Sequence, residues 1–209
     1  DAIAARAAEV LSAFPPRAGA DAPLAALAAG ERAAVVTGQQ VGLLTGPLLT
    51  AVKALATVKV AEALTAAGTP LAPVFWCASE DHDLVEVTRV PLPGPDGPVE
   101  TGPDPEAFAR NREPVGGLPV GVDVAAILER ARADAGSLAD EECVEALRAA
   151  HAGATYRSAF VASLSWLLGE PALLFADAAR AEEKPVLVPL AVRLVREREA
   201  VRRLLEARA

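Results

Sequence analysis

Short apolar runs alternate with helical patterns in the first part of this chain. Ala33–Val36 and Leu71–Cys77 are continuous runs of apolar residues, which is typical of parallel strands buried on both faces. Between them, an apolar segment from about Leu48 to Ala67 has the length of a long helix, and Gly68 suits its C′ position. A strand, a helix and a second strand within about forty residues predict a right-handed βαβ unit.

A third apolar run, Ala172–Ala176, completes the predicted sheet and is followed by Asp177. Pro73 is unfavourable in a central strand, so the second strand is predicted to begin properly at Val74. The fold class is therefore α/β, with a parallel sheet flanked by helices. The helix that starts at Leu48 is apolar nearly all round, which predicts that it packs against the sheet and a neighbour and does not lie on the surface.

Residues 91–121 form a turn-rich segment that predicts an irregular surface insertion, with Asp96-Gly97 at a hairpin tip. Before it, Leu84–Val90 fits either a helical turn or an extended segment. Residues 122–168 are predicted to be a helical segment of the same domain. Its helices are Val124–Ala135, Leu138–Ala152 with Ser137 as cap, and Tyr156–Leu168 with Thr155 or a neighbour as cap.

Helical patterns also occur at both ends of the chain. The first is Asp1–Phe14, a short helical turn follows at residues 24–30, and a charged helix runs from about Pro185 to the end. All 209 residues are thus assigned to a single α/β domain.

The composition narrows the functional classes. The chain is 52% hydrophobic and has a formal net charge of −8 without a basic run, which argues against nucleic acid or an anionic membrane as the partner. Cys77 and Cys143 belong to no CxxC or Cys/His cluster, which argues against structural zinc and favours two free thiols. No signal peptide and no apolar run long enough to span a bilayer is evident, so we expect a cytoplasmic protein.

Polar residues follow the first predicted strand at the edge of the sheet where ligands bind in α/β folds. Thr37-Gly38-Gln39-Gln40, then Gly42, Thr45 and Gly46, form a glycine-rich loop before the helix at Leu48. Glycines permit close approach of a ligand, helix N–H groups favour an anion, and glutamine amides bind polar groups. The pattern is neither GxGxxG nor a P-loop. A glycine-rich turn with both glutamines in water is the alternative.

A second polar loop, Glu80-Asp81-His82-Asp83, follows the second strand. A carboxylate beside an imidazole can orient it and raise its basicity, so we predict His82 as a general acid or base oriented by Asp81 or Asp83. The same residues could hold Mg²⁺ or capture an ammonium group. The alternative is a helix N-terminus, at which acidic residues complement the helix dipole.

Other polar residues are weaker candidates. Asp177 ends the third strand at the same edge and is a second-rank binding residue. His151 lies at the end of a helix, which predicts a structural role. Lys53 is roughly 9 Å inside its helix and need not reach a ligand. The roles of Lys53, Tyr156 and Arg157 stay open.

Both loops resemble those of a known family, the bacillithiol-biosynthesis cysteine-adding enzymes, or cysteine ligases. The residues that carry the resemblance in the first loop are Val35-Val36-Thr37-Gly38-Gln39-Gln40, Gly42-Leu43 and Thr45-Gly46-Pro47-Leu48. It continues at Pro73-Val74-Phe75-Trp76 and Glu80-Asp81-His82-Asp83, and more loosely at Arg112–Gly116, Tyr156, Ala159-Phe160 and Leu173–Asp177. The first two motifs, in this order and spacing, are specific.

The resemblance implies a Rossmann-like core and an enzyme that joins cysteine to the amine of glucosaminyl-malate, giving the thiol bacillithiol. His82, Asp81 and Asp83 would be the catalytic residues. The residues that would bind substrate or phosphate are Thr37, Gly38, Gln39, Gln40, Gly42, Thr45, Gly46, Glu80 and Asp177. ATP is the expected activator of the cysteine carboxyl, Mg²⁺ could accompany it, and no dedicated metal site of the protein is predicted.

The chain departs from the family pattern at Val41, Leu44 and Leu49, where proline or alanine, phenylalanine and tyrosine are expected. Family members are longer, with more of the core and a C-terminal helical coiled-coil domain that mediates dimerisation, which implies a homodimer for the full-length protein. An uncovered apolar stripe on the last helix would mark where that additional chain packs. Its residues are Val192, Leu194, Val195, Val201, Leu204 and Leu205.

Two further interpretations stay open. One is a nucleotidylyltransferase-like enzyme that binds ATP after the first strand. The other is a non-catalytic fragment or interaction module of the ligase, able at most to bind a ligand.

Overall fold

The computed structural model describes residues 21–104, 106, 113–135, 140–169, 173–177, 179 and 184–207. The predicted helix at residues 1–14, the predicted cap Ser137 and Arg112 lie outside these residues.

The described elements alternate between strands and helices. The helices are α1 (Asp21–Ala28), α2 (Leu48–Ala66), α3 (Leu84–Thr88), α4 (Val124–Ala135), α5 (Glu141–His151), α6 (Tyr156–Leu167), α7 (Lys184–Arg196) and α8 (Arg198–Glu206). The strands are β1 (Ala33–Gln40), β2 (Leu71–Ala78), β3 (Val90–Leu92), β4 (Val99–Thr101) and β5 (Leu174–Asp177). Two 3₁₀ turns are formed by Leu43–Thr45 and Val115–Gly117.

The main sheet has three parallel strands in the order β1-β2-β5. The central position of β2 is visible at Val74, which pairs with Val36 on one side and Leu174 on the other. β2 begins at Leu71, earlier than predicted, and it tolerates Pro73 because β5 pairs with β2 only from Val74 onwards. The predicted α/β class with a parallel sheet is confirmed. The burial predicted for both faces of Ala33–Val36 is wrong, because β1 is at the edge of the described sheet and Val36 is 56% exposed.

β1 continues four residues beyond its predicted end. Residues Thr37 to Gln40 pair in register with Phe75 to Ala78 of β2, so the first part of the predicted loop is strand. The glycine and glutamines have weak strand propensity, but the ladder to β2 supplies their backbone hydrogen bonds. Gln39 and Gln40 therefore project to opposite faces of the sheet.

α2 begins at Leu48 as predicted and ends with Ala67 as C-cap and Gly68 at φ +92°. One face packs against β1 and β2 through buried residues that include Ala54 and Val58. The prediction that the whole helix is covered is wrong within the described residues. Its other face exposes Leu48, Leu49, Val52, Leu55, Val60 and Leu64.

The segment after β2 contains both structures that the sequence left open. Residues 84–88 form the short helix α3, and β3 then pairs antiparallel with β4 around a turn at Asp96-Gly97, which confirms the hairpin. The prediction of a surface insertion up to residue 121 is wrong for its last part. Val115 and Val120 are buried in the main core.

The helices α4 and α6 agree with the predicted ones, whereas α5 begins later than predicted. Its N-cap is Asp140, whose carboxylate accepts from the N–H of Cys143 at 3.0 Å, so the prediction of Ser137 as cap is wrong. Thr155 caps α6 in a reciprocal capping box with Ser158, as predicted. Cys77 is buried, Cys143 is half-buried, and the two do not form a disulfide with each other.

The core lies between the sheet and the helical segment. Phe75 on β2 packs against Phe160 of α6, with ring centroids 5.8 Å apart, and against Phe175 of β5 at 6.0 Å. Most described side chains of the last two helices are exposed.

The predicted last helix is divided at Glu197 into α7 and α8.

Part of the predicted stripe on the last helix is uncovered. Val192, Leu194 and Val195 are exposed, Val201 is half-buried, and the side chains of Leu204 and Leu205 lie outside the described residues. None of the described helices is both long and apolar enough to cross a membrane.

Candidate active site at the carboxyl ends of the strands

The three strands end side by side at one edge of the sheet. Gln40, the last residue of β1, pairs with Ala78 at the end of β2, and Asp177, the last residue of β5, pairs with Cys77. In open α/β sheets this edge is where ligands bind. The parallel register therefore brings together the polar segments that the sequence placed after each strand.

Gln40 connects the first segment to the second. Its Nε2 donates to Oδ2 of Asp81 at 2.5 Å and lies 3.3 Å from Oε2 of Glu86. Glu86 belongs to α3 and was not among the predicted site residues, because it follows the acidic motif by three positions and resembles an ordinary helix residue. The amide of Gln40 thus lies between two carboxylates, one of them exposed.

Gln39 faces the opposite side of the sheet and is held by Lys53. The ammonium of Lys53 donates to Oε1 of Gln39 at 2.9 Å and to the carbonyl oxygen of Gly38 at 2.6 Å. Helical side chains lean toward the helix N-terminus, so the long Lys53 side chain spans the distance that the helix rise suggests. The ammonium of Lys53 therefore reaches the end of β1, although the residue lies well inside the helix.

Two glycines of the first segment are explained by close packing of the chain against itself. A Cβ at Gly38 would lie 2.8 Å from the carbonyl oxygen of Trp76, and a Cβ at Gly42 would lie 3.0 Å from Cα of Gly46. Gly42 is buried. Thr37 is half-buried in the strand, and Thr45 and Gly46 are half-buried in the turn before α2.

The turn before α2 has an unusual backbone. Leu44 and Thr45 both have positive φ, +50° and +72°, a region that costs a non-glycine residue about 1–2 kcal/mol. Leu43 and Leu44 are buried against α6. Strained backbone of this kind is often found at functional sites, where surrounding packing maintains it.

His151 of α5 holds this turn in place. Its Nε2 accepts from the backbone N–H of Leu44 at 3.3 Å, and its Nδ1 lies 2.7 Å from the carbonyl oxygen of Leu147. These bonds require the neutral ring with its proton on Nδ1. Burial lowers the pKa of His151, while the bond to the Leu147 carbonyl opposes this shift. The structural role predicted for His151 is confirmed, and its partner is the candidate ligand loop.

The carboxylates of the second segment bind backbone rather than the imidazole. Asp81 accepts from the N–H groups of His82 at 2.6 Å and Asp83 at 3.1 Å, and Asp83 caps α3 through the N–H of Glu86. The His82 ring therefore donates no hydrogen bond to Asp81 or Asp83, and the predicted orientation of the ring by either carboxylate is not found in this structure. His82 is exposed, and no hydrogen bond to its ring comes from the described part of the chain.

Asp81 is the ionised centre of this segment. The bond from Gln40 and then the bond from the N–H of Asp83 hold the pKa of Asp81 below its usual value, against a smaller opposing effect of burial. The nearby charge of His82 acts in the same direction as the hydrogen bonds. The negative charge of Asp81 thus lies next to the imidazole even though no hydrogen bond joins the two side chains. Glu80 is exposed beside them.

The end of the predicted insertion supports the second segment from below. The N–H of Val115 donates to the carbonyl of Asp81 at 3.0 Å, and the N–H of Gly116 donates to the carbonyl of Ser79 at 3.0 Å. A Cβ at Gly116 would overlap the Ser79 side chain. No local sequence pattern predicts this contact, because about 35 residues separate the two segments.

Asp177 lies in a buried polar network beneath the edge. It is fully buried, it accepts from the hydroxyl of Ser79, and its Oδ2 lies 3.1 Å from Nη1 of Arg157. The N–H of Ala179 also donates to it at 2.9 Å. Arg157, whose role the sequence left open, is therefore the ion-pair partner of Asp177, and part of its side chain remains exposed. Asp177 itself supports the β2 and β5 ends from inside.

No group of three or more His, Cys, Asp or Glu side chains in the described ranges is arranged to hold a metal ion.

The sequence of the chain matches a known protein family. Residues 6–209 match the family model described as the N-terminal Rossmann-like domain of the bacillithiol biosynthesis protein BshC. The chain belongs to the BshC family.

Curated relatives agree with this membership. A protein of Koribacter versatilis is 36% identical over 173 residues, covering 82% of this chain and 32% of the relative, and one of Desulforamulus reducens is 31% identical over 183 residues, covering 85% and 33%. A protein of Heliobacterium modesticaldum is 52% identical over 67 residues, covering 32% of this chain and 12% of the relative. Each carries the name "Putative cysteine ligase BshC".

The chain therefore spans about a third of the length of the relatives from Koribacter versatilis and Desulforamulus reducens. The Rossmann-like character predicted for the core is confirmed by the BshC family model. The comparisons support the cysteine ligase interpretation and give no support to a nucleotidylyltransferase.

Proposed function

We propose that this chain supplies the substrate-binding edge and the proton-transfer group of a cysteine ligase. The full-length enzyme would join the carboxyl group of cysteine to the amine of glucosaminyl-malate in bacillithiol biosynthesis. The observation that carries the proposal is the match to the BshC domain over residues 6–209. The bond between Gln40 and Asp81 supports it, because it joins the two motifs of the resemblance into one polar edge.

The start of α2 fits the phosphates of ATP or another anion. No side chain caps this helix at Pro47, and its first turn carries no acidic residue, so its N–H groups and dipole favour negative charge. Thr45 and Gly46 precede it and are half-buried, so both keep some exposed surface. ATP, when bound, supplies the leaving group that makes the cysteine carboxyl reactive. Thr45, Gly46 and the first turn of α2 would hold its phosphates.

The acidic side of the edge fits the amine substrate. Asp81 and Glu86 share the Gln40 amide, and Glu80 is exposed next to them. Their charges favour an ammonium group, which is the form that the glucosamine nitrogen takes in water. Carboxylates of this kind could also complete the coordination of Mg²⁺ held by phosphates, since that ion needs only one or two from the protein.

His82 is the group we assign to proton transfer. The bound ammonium must lose one proton before its nitrogen can attack the cysteine carbonyl carbon, and an exposed imidazole at the same edge can accept it. The nitrogen loses a second proton to water as the bond between the carbonyl carbon and the phosphate leaving group breaks. Asp81 would place its negative charge next to the imidazole. Asp83 would act indirectly, because it fixes the start of α3 beside the histidine. Gln39, Gln40 and Thr37 would orient polar groups of the substrates.

A turnover assay on the full-length protein tests this proposal. Purified enzyme is supplied with cysteine, glucosaminyl-malate and ATP, and the adduct is measured by mass spectrometry. His82→Ala is expected to lower kcat/KM by about 10²–10³-fold, the usual contribution of a general base. Higher pH should partly restore the rate of this variant, because hydroxide and unprotonated amine then replace the base.

Glu31→Gln provides a control, because Glu31 is exposed and lies before β1 at the opposite end of the sheet. Normal turnover by His82→Ala would remove the histidine from the mechanism. Absence of adduct formation by the wild-type enzyme, with transfer of a nucleotidyl group instead, would contradict the ligase proposal.

We also propose that the full-length enzyme is a cytoplasmic homodimer. Exposed Val188, Val192 and Val195 on α7 follow one another at spacings of four and three residues, as in the seam of a coiled coil. Light scattering on the full-length protein would report a mass of two chains. A mass of one chain at micromolar concentration would refute the dimer.

A further inference from the structure

Lys53 of α2 has a charge that no acidic side chain neutralises in the part of the chain that the structure describes. Its ammonium bonds to the Gly38 carbonyl at 2.6 Å and to the Gln39 side-chain oxygen at 2.9 Å, both neutral acceptors. No acidic partner of Lys53 is found among the described residues. The residue is half-buried, so water screens its charge less than it would on an open surface.

Lys59, six residues further along α2, forms an exposed ion pair. Its Nζ lies 2.9 Å from Oε2 of Glu62, and the two side chains are 67% and 58% exposed. Lys59 is therefore paired with a carboxylate, whereas Lys53 has no carboxylate partner among the described residues.

The surroundings of Lys53 add to its positive potential. The uncapped first turn of α2 contributes the positive end of the helix dipole, and no acidic residue in that turn offsets it. The carboxylates of the edge, Asp81 and Glu86, are bonded by Gln40, which projects from the opposite face of β1 to Gln39. The sheet thus separates an acidic side from a basic side at the end of one strand.

We infer that Lys53 binds an anionic oxygen group of a substrate, a carboxylate or a phosphate, at the basic side of the β1 end. An ammonium has three N–H donors, and the two neutral acceptors leave the third for the ligand. Lys53 also fixes the Gln39 amide, so ligand and glutamine share one cation. The inference rests on the proposed function for the identity of the substrates, whose anionic groups are the cysteine carboxylate, the malate carboxylates and the ATP phosphates.

Three variants of the full-length protein separate charge from structure. Lys53→Gln removes the charge but keeps an N–H donor that can bond the Gly38 carbonyl, and Lys53→Arg keeps the charge. Lys59→Gln is the matched control, since it makes the same charge change on the same helix. Circular dichroism and thermal unfolding establish that each variant is folded. If Lys53→Gln does not fold, Lys53→Met, which keeps the apolar stem, takes its place.

The measurements are KM values for ATP, cysteine and glucosaminyl-malate, and calorimetric Kd values for ATP, cysteine and L-malate, which need no turnover. Lys53→Gln is expected to weaken one of the anionic ligands by about tenfold or more, as loss of a charge-assisted hydrogen bond does. Lys53→Arg should recover much of that loss. An effect on ATP alone assigns the phosphate, and an effect on glucosaminyl-malate and L-malate assigns the carboxylates.

Affinities of Lys53→Gln that equal those of Lys59→Gln for every one of these ligands would overturn the inference. That result together with normal adduct formation by the wild type would leave the proposed function intact. Weaker binding of ATP or L-malate to Lys53→Gln, in an enzyme that forms no cysteine adduct, would have the opposite meaning. The anion site would then stand and the ligase proposal would fail.

Discussion

Gln40 donates its side-chain amide to the carboxylate of Asp81 at 2.5 Å, although 41 positions of the chain separate the two residues. The bond is made because β1 and β2 are parallel neighbours that end together, with Gln40 opposite Ala78. It is also the largest of the effects that lower the pKa of Asp81. One side chain therefore links the strand ends and sets the ionisation of the acidic loop.

Replacing Gln40 should raise the pKa of Asp81. In Gln40→Leu the main stabilising bond to the ionised carboxylate is lost, so the pKa is expected to return toward its ordinary value of 3.8. Titration of the carboxyl carbon by ¹³C NMR measures the change. Glu86→Gln is the control, because it removes the charge of the other acceptor of Gln40 and keeps the bond to Asp81. An unchanged pKa in Gln40→Leu would show that the backbone N–H groups suffice.

His151 makes stability depend on pH. Its pKa is lowered in the folded protein, so the unfolded chain takes up the proton first as the pH falls below the ordinary value of 6.5. The contribution of the neutral ring to folding is complete above that value and declines below it. Urea unfolding from about pH 7.5 to about pH 5 should show wild type losing its advantage over His151→Gln, which we expect to be about 1–3 kcal/mol at the upper pH.

The chain contains two histidines, so His82 provides the natural control. His82 is exposed and its ring has no hydrogen bond from the described residues, and His82→Gln should follow the wild-type stability at each pH. A constant difference between wild type and His151→Gln over the whole range would contradict the assigned role of the neutral ring.

Adjacent glycines in the second 3₁₀ turn should respond differently to alanine. A methyl group at Gly116 would overlap Ser79, whereas one at Gly117 would have no atom within 4 Å. Gly116→Ala should destabilise the protein by about 1–3 kcal/mol, as overpacking does, and Gly117→Ala should change stability by less than about 0.5 kcal/mol. Chemical denaturation gives both values. Equal effects of the two substitutions would show that residues 115–117 do not pack on the Ser79 segment.

Removing Arg157 should be costly because its partner is buried. Asp177 has no exposed surface, and Arg157→Ala would take away a cation that lies 3.1 Å from its carboxylate. We expect a loss of about 3 kcal/mol in the free energy of unfolding. Arg193→Ala breaks an exposed pair with Glu197 at the same distance of 3.1 Å and should cost less than about 0.5 kcal/mol. A small loss for Arg157→Ala would mean that the other partners of Asp177, which include Ser79, are sufficient to hold its charge.

Several features were determined by the sequence itself. Continuous apolar runs identified all three strands of the parallel sheet, and glycine after Ala67 marked the end of α2, because burial and backbone conformation restrict residue type locally. The two polar motifs after the strands were found for the same reason, since a parallel sheet puts the ends of its strands at one edge. Family membership also followed from these motifs and is confirmed.

Only the tertiary structure decided how the side chains of those motifs are used. The alternation of side chains along a strand sends Gln39 to Lys53 and Gln40 to Asp81, but this required knowing that β1 extends to residue 40. The bonds of His151 to the turn before α2 and of Val115 to the second segment join parts of the chain that are far apart in sequence. Local patterns specify backbone state and burial, whereas hydrogen-bond partners depend on which distant elements pack together.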